Sequence, residues 1–134
     1  MSTSQTDGAG TPDAVVTTTN EARRSPRPGV LDAISAHLPP ERILLDPALV
    51  ASLSHDDAEW APIGTALAVA RPETSSKVQT VVRACYEHRV PVVARGAGTG
   101  LSGAANAVDG CIVIALDLMN RILEINQIER LAVV

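Results

Sequence analysis

The chain has 134 residues and a net charge of −4, with no long basic run and no interleaving of basic and aromatic residues, so no DNA or RNA partner is expected. No window approaches the ~20 apolar residues of a membrane span, and the N-terminus has neither the basic start nor the apolar stretch of a secretory signal, so a cytoplasmic protein with no transmembrane segment is expected. Trp60 and Tyr86 are the only aromatic residues, so a core must come from Val, Leu, Ile and Ala, which suit a sheet packed with helices.

Residues 1–28 are rich in Ser, Thr, Gly, Pro and Asp with no apolar period, and read as a disordered tail ending in the basic cluster Arg23, Arg24 and Arg27. The folded portion is expected over 29–134, enough for one domain. Val30, Leu31, Ile34 and Leu38 fall at helical spacing until Pro39-Pro40 stops the run. Ile43 to Leu45 follow as an extended piece. Asp46-Pro47 reads as a helix cap and first helical residue, with Leu49, Val50 and Leu53 on the apolar face.

Ser54-His55-Asp56-Asp57 places a histidine beside two carboxylates. Adjacent side chains point in different directions, and no second His or Cys stands at ligand spacing. A solvated or capping cluster is therefore expected rather than a metal or catalytic site, and no metal is expected. Trp60 is expected to cover an edge of the core. Cys85 and Cys111 are isolated and read as small buried thiols. His37, His55 and His88 stand alone, and no catalytic residue is assigned.

Thr65 to Ala70 reads as a buried strand ended by Pro72. Thr74, Ser75 and Ser76 offer caps for a helix marked by Val78, Val81, Val82 and Cys85 and running to about His88. Val92-Val93-Ala94 is the next strand. Strand, helix and strand make a βαβ unit with parallel strands. Beyond it come an Asp109-Gly110 turn, a strand at Ile112 to Leu116, a turn at Met119-Asn120, a strand at Ile122 to Ile125 and a last one from Leu131.

The stretch Arg95-Gly96-Ala97-Gly98-Thr99-Gly100-Leu101-Ser102-Gly103 leaves the carboxyl end of the second strand with four glycines in eight residues after the arginine. Open α/β sheets place ligands at that end. Successive backbone N–H groups in such a turn bind an anion, so a phosphate-cradling loop is expected. Gly98 and Gly103 have the spacing of a Walker loop, but Ala104-Ala105 replace its Lys-Ser. Gly98, Gly100 and Gly103 match G-x-G-x-x-G literally, and Asp117 lies near the place of a ribose-binding acid. That fingerprint opens a helix, and only Ala104 to Val108 separate the loop from the next turn, too few for one. What remains is a loop that cradles pyrophosphate with backbone amides and needs no following helix.

Pro91 to Gly103 resembles the flavin pyrophosphate loop of the FAD-linked oxidase family (vanillyl-alcohol oxidase type, with a PCMH-type FAD-binding domain). The resemblance is closest to the branch of the glycolate oxidase large subunit and D-lactate dehydrogenase. Leu67 to Pro72 with Thr74 to Val82, the run Ser54-His55-Asp56, and Asp117 to Ile125 are similar to the family's flanking pieces, the last to a hairpin. The resemblance implies an α+β, α/β-like fold: the N-terminal subdomain of the FAD-binding domain, a small mixed sheet with a βαβ unit and flanking helices. It implies that Gly96, Ala97, Gly98, Thr99, Gly100 and Leu101 lie against the FAD pyrophosphate, that Ser102 adds a hydroxyl contact, and that Gly103 allows close packing. Arg95 either contacts the cofactor or holds the loop through an ion pair. Thr99 stands where some relatives carry a flavin-linked histidine, which implies non-covalent FAD. The implied activity is hydride transfer from a small 2-hydroxy acid to FAD, with electron-transfer subunits as possible partners and with catalytic groups beyond residue 134. The chain is accordingly expected to be the front part of such a domain, inactive alone and binding FAD weakly or not at all. The other reading is a stand-alone anion- or nucleotide-binding module without catalysis.

Overall fold

The structure, a computed structural model, describes residues 29–134; the expected tail at 1–28 lies outside the described residues. Helix α1 spans Val30–Ser35, and a 3-10 turn at Pro40–Arg42 leads into strand β1, Ile43–Leu44. Helix α2, Pro47–Ser52, starts as the sequence predicts: the Asp46 carboxylate accepts from the amides of Ala48 and Leu49, both at 3.0 Å, ahead of Pro47. A cap of this kind stabilises a helix by about 1 kcal/mol. Strand β2 (Ala68–Ala70), helix α3 (Ser75–Glu87) and strand β3 (Val92–Arg95) form the βαβ unit. Strand β4 is Ile112–Ala115, and β5 (Glu124–Asn126) and β6 (Leu131–Val133) complete the described chain.

The main sheet has the order β1-β2-β4-β3, with β1 antiparallel and the other three parallel. The two strands of the βαβ unit are therefore parallel but not neighbours, because β4 lies between them. Ile112 pairs with Ala68 on one side and with Val92 on the other. Every residue of β2 and β4 is buried, as a strand covered on both faces requires. Alternation then divides the core. Ala68, Ala70, Ile112 and Ile114 face Val30 and Ile34 of α1 and Val81, Ala84 and Cys85 of α3. Val69, Val113 and Ala115 face Val50 of α2 together with Ala66, Ala107 and Cys111. That second face is covered largely by irregular chain, and the glycine loop belongs to it.

Several expectations shift in detail. The first helix ends at Ser35, and His37 lies in the following turn, although Leu38 is buried as predicted. Leu49 and Val82, assigned to apolar faces, are about half exposed, since α2 and α3 each bury a narrower stripe. Trp60 does not cover the core edge: it is 76% exposed, because the chain around it is a turn held by backbone bonds. The expected strand at Ile122 to Ile125 begins at Glu124, and the hairpin runs from there to Val133 rather than over Asp117 to Ile125. The turn ahead of it is closed by the Met119 amide donating to Leu116. No described helix is long and apolar enough to cross a membrane.

Cys85 and Cys111 are free and fully buried. Burial, with a smaller push from Cys111, raises the Cys85 thiol to about 11, and burial raises Cys111 as well. Both are protonated at neutral pH and serve as core side chains, not nucleophiles.

Helix α3 ends in a turn that Gly ordinarily fills. The Val90 amide donates to Cys85 and that of Arg89 to Tyr86, with Arg89 in the left-handed conformation at φ 53°. This bonding is a Schellman motif with arginine at the glycine position. Arg89→Gly is expected to raise stability by about 0.5–1 kcal/mol, since the left-handed cost of a side chain disappears. Urea unfolding measures it, and a loss of stability would show that the Arg89 side chain contributes more than its backbone costs.

Candidate functional site

Strand β3 runs out at Arg95, and the loop 96–111 then leaves the carboxyl end of the parallel sheet and returns along its second face to β4. No helix lies between the loop and β4. The dinucleotide reading of the three glycines fails on this ground. Asp117 pairs with Arg71, joining the ends of β2 and β4, and that hydrogen bond holds its carboxyl below the usual carboxylate range. A second ion pair set, Glu73 with Arg42 at 2.6 Å and with Lys77 at 3.1 Å, ties the turn before β1 to the start of α3.

The glycines of the loop differ from one another. Gly98 and Gly103 take left-handed φ values of 83° and 75°. A β-carbon at Gly98 would overlap the Arg95 guanidinium, and one at Gly103 would sit 2.5 Å from the Ala61 methyl. At Gly100 it would meet the Asp56 carboxylate at 3.1 Å. Left-handed backbone thus accounts for Gly98 and Gly103, with the Ala61 contact adding to the second, while Gly100 is only tightly approached by Asp56. Gly96 has neither a left-handed φ nor any atom within 4 Å of an added β-carbon. Its open side is available to an outside group.

The loop's hydrogen bonds are one-sided. Carbonyl oxygens are held: Gly96 accepts from Arg95 Nη1 at 3.3 Å, Gly100 from the Asp57 amide at 2.9 Å, and Gly103 from the Asn106 amide at 3.1 Å. None of the backbone N–H groups from Gly96 to Gly103 donates to an acceptor among the described residues. A run of exposed amides without internal acceptors is what an anion-binding nest consists of. Thr99, Leu101 and Ser102 are exposed beside it.

Arg95 is half-buried and forms no ion pair among the described residues. It donates Nε to the His55 carbonyl at 3.3 Å as well as Nη1 to Gly96. It therefore braces the loop, with neutral carbonyls in place of a carboxylate, and keeps its remaining donors for another acceptor.

The loop's supports are where sequence reasoning falls short. Ser54 and Asp56 belong to a run that reads as a solvated or capping cluster; they are 3% and 6% exposed, with Asp56 Oδ1 accepting from the Ala58 amide, while His55 and Asp57 are exposed. Asn106, also 6% exposed, and Gly64 carry no signal of their own in the sequence. Gly64 passes so close to the backbone of Val108 and Asp109 that a β-carbon would lie 2.5 Å from the Asp109 nitrogen. An apolar groove of about 650 Å³ between α2 and residues 63–67 adjoins these supports through Ser54 and His55, but no residue of 95–103 lines it. Among the described residues, no cluster of His, Cys, Asp and Glu could hold a metal.

The candidate site is thus a helix-free, glycine-rich loop at the carboxyl end of a parallel strand in a mixed sheet. Over residues 66–134 the chain matches the FAD binding domain family, to which it belongs. It is 35% identical over 107 residues to D-2-hydroxyglutarate dehydrogenase of Stutzerimonas stutzeri, covering 79% of this chain and 23% of that protein. It is 33% identical over 115 residues to the glycolate oxidase subunit GlcD of Escherichia coli K12, covering 79% and 21%. Among solved structures, 4-ethylphenol oxidase from Gulosibacter chungangensis superposes with a TM-score of 0.63 at 27% identity, covering 74% of this chain and 20% of that one. The chain thus spans about a fifth of the length of these relatives.

Proposed function

We propose that residues 29–134 are the N-terminal portion of the FAD-binding domain of an oxidoreductase that oxidises a small 2-hydroxy acid, of the glycolate or D-lactate type. The observation that carries the reading is the row of amides from Gly96 to Gly103 without internal acceptors. The loop fits a pyrophosphate: exposed donors, an open approach at Gly96, and an arginine with donors to spare. In this reading the backbone of Gly96, Ala97, Gly98, Thr99, Gly100 and Leu101 binds the pyrophosphate. Arg95 and the Ser102 hydroxyl add side-chain donors, and Gly103 lets the loop pack on Ala61. FAD, when bound, accepts the hydride; this chain's residues hold and orient its phosphates and do no proton transfer. Thr99 stands where some relatives carry a flavin-linked histidine and offers no imidazole, which supports non-covalent attachment in this reading. The relatives' names supply the hydroxy-acid class, and the groups that bind substrate or pass electrons onward belong to the rest of the protein.

Titration of the ¹⁵N-labelled chain with FAD and with ADP tests the reading. Amide shifts confined to residues 95–103, with millimolar or tighter affinity and no need for divalent metal, are expected. Absence of shifts in the loop, or shifts centred on the groove beside α2, would count against it. Binding of simple phosphate as tightly as FAD would favour a stand-alone anion-binding module.

A further inference from the structure

We infer that Asp56 and Asn106 are positioning residues that hold the 96–103 loop in its binding shape before any ligand arrives, an inference that rests on the pyrophosphate reading above. The two residues lie 50 positions apart and are both 6% exposed. They are joined directly, the Asp56 amide donating to Asn106 Oδ1 at 2.9 Å. Each then reaches outward. Asp56 Oδ1 accepts from the Ala58 amide at 3.0 Å, and Oδ2 from the Ala105 amide at 3.4 Å. Asn106 Nδ2 donates to the carbonyls of Ala61 and Pro62, both at 3.3 Å. Among the described residues, no buried side-chain polar atom is left without a partner.

The consequence for the loop is geometric. With the Asp56 segment fixed, the Asp57 amide captures the Gly100 carbonyl, and with Asn106 fixed, its own amide captures the Gly103 carbonyl. The Ala107 amide closes the set by donating to Ser54 at 2.8 Å. These bonds hold carbonyls on the protein side, so the loop's N–H groups have no internal acceptors to turn toward. The Asp56 carboxylate also packs against Gly100, so the shape is fixed at the middle of the cradle as well as at its end. A binding loop ordered in advance loses less freedom on binding.

The test uses the full chain, ¹⁵N-labelled, as Asn106→Ala and Asp56→Asn, with inorganic pyrophosphate and ¹⁵N relaxation as the two readouts. Asn106→Ala is expected to lower the order parameters of residues 96–103 from about 0.85 to below about 0.6, and to weaken pyrophosphate binding at least tenfold. Hydrogen exchange of the Val69 and Val113 amides should stay unchanged, which a general loss of stability would not allow. Asp56→Asn keeps the acceptor for Ala58 and loses the one for Ala105, so it is expected to fall between wild type and Asn106→Ala. This milder variant decides the matter if Asn106→Ala does not fold. A loop as rigid in the folded variants as in wild type overturns the inference. If wild type binds no pyrophosphate, the cofactor reading fails, while the relaxation data still judge the clamp.

Discussion

Gly96→Val is expected to leave stability to urea unchanged or to raise it by up to about 1 kcal/mol, and to weaken FAD binding at least about tenfold, about 1.4 kcal/mol. The protein itself does not need a glycine there: an added side chain meets open space, and φ is not left-handed. A glycine in such a place costs about 0.5–1 kcal/mol in chain entropy relative to alanine. The open space is what a close-approaching ligand requires, and an isopropyl group would fill it. Gly98→Ala and Gly103→Ala should behave in the opposite way. Both residues are left-handed, at about 1–2 kcal/mol for a side chain, and both would gain overlaps with Arg95 or Ala61. Each is expected to lose about 2–3 kcal/mol of stability, with binding reduced only as the loop distorts. Paired urea titrations and flavin-fluorescence titrations separate the two classes. Should Gly96→Val destabilise as much as Gly98→Ala, or bind FAD like wild type, the open side of Gly96 is not the ligand side.

Ile112→Ala should produce the largest loss of stability from a single side chain, about 3–4 kcal/mol of the roughly 5–15 kcal/mol available to a domain. Ile112 is fully buried in β4 and packs in the cluster shared with α1 and α3. Ladder partners on both sides, Ala68 and Val92, leave little freedom for the cavity to collapse. Ile128→Ala is the control: at 92% exposure it should change stability by less than about 0.5 kcal/mol. Denaturant midpoints at constant slope measure both. A cost under about 1 kcal/mol for Ile112→Ala would mean that the central strand is not where the core is held.

The parts legible in the sequence are those with local signals. The period of Val78, Val81 and Cys85 and the capping threonine place α3, and Asp46-Pro47 places α2. The shortness of 104–108 correctly excludes a helix after the glycines. The loop's supports are not legible, because Asp56 and Asn106 are neighbours only through the fold. A polar run such as Ser54 to Asp57 has the same composition whether it is solvated or buried with partners. Trp60 misleads for the converse reason: a large apolar side chain favours burial but does not compel it. The pairing of β5 with β6 has a local signal in Asn126, whose Oδ1 accepts from the Ile128 and Glu129 amides in the turn, but their separation from the main sheet has none. The four glycines look alike in sequence, and only their neighbours in space distinguish Gly96 from the rest.

The order β1-β2-β4-β3 has a consequence for how the chain is made. During synthesis β2, α3 and β3 emerge before β4, yet neither β2 nor β3 has a parallel partner until β4 is inserted between them. A ribosome-bound chain that stops short of β4, Ile112–Ala115, can form α3 and the helix caps but not the parallel ladder. Ordering of the glycine loop waits on the same event, since Asn106 and Ala107 must be in place to hold it. The parallel part of this unit is thus postponed until its central strand has left the exit tunnel; up to that point β2 has only the short antiparallel β1 beside it and β3 has no partner strand.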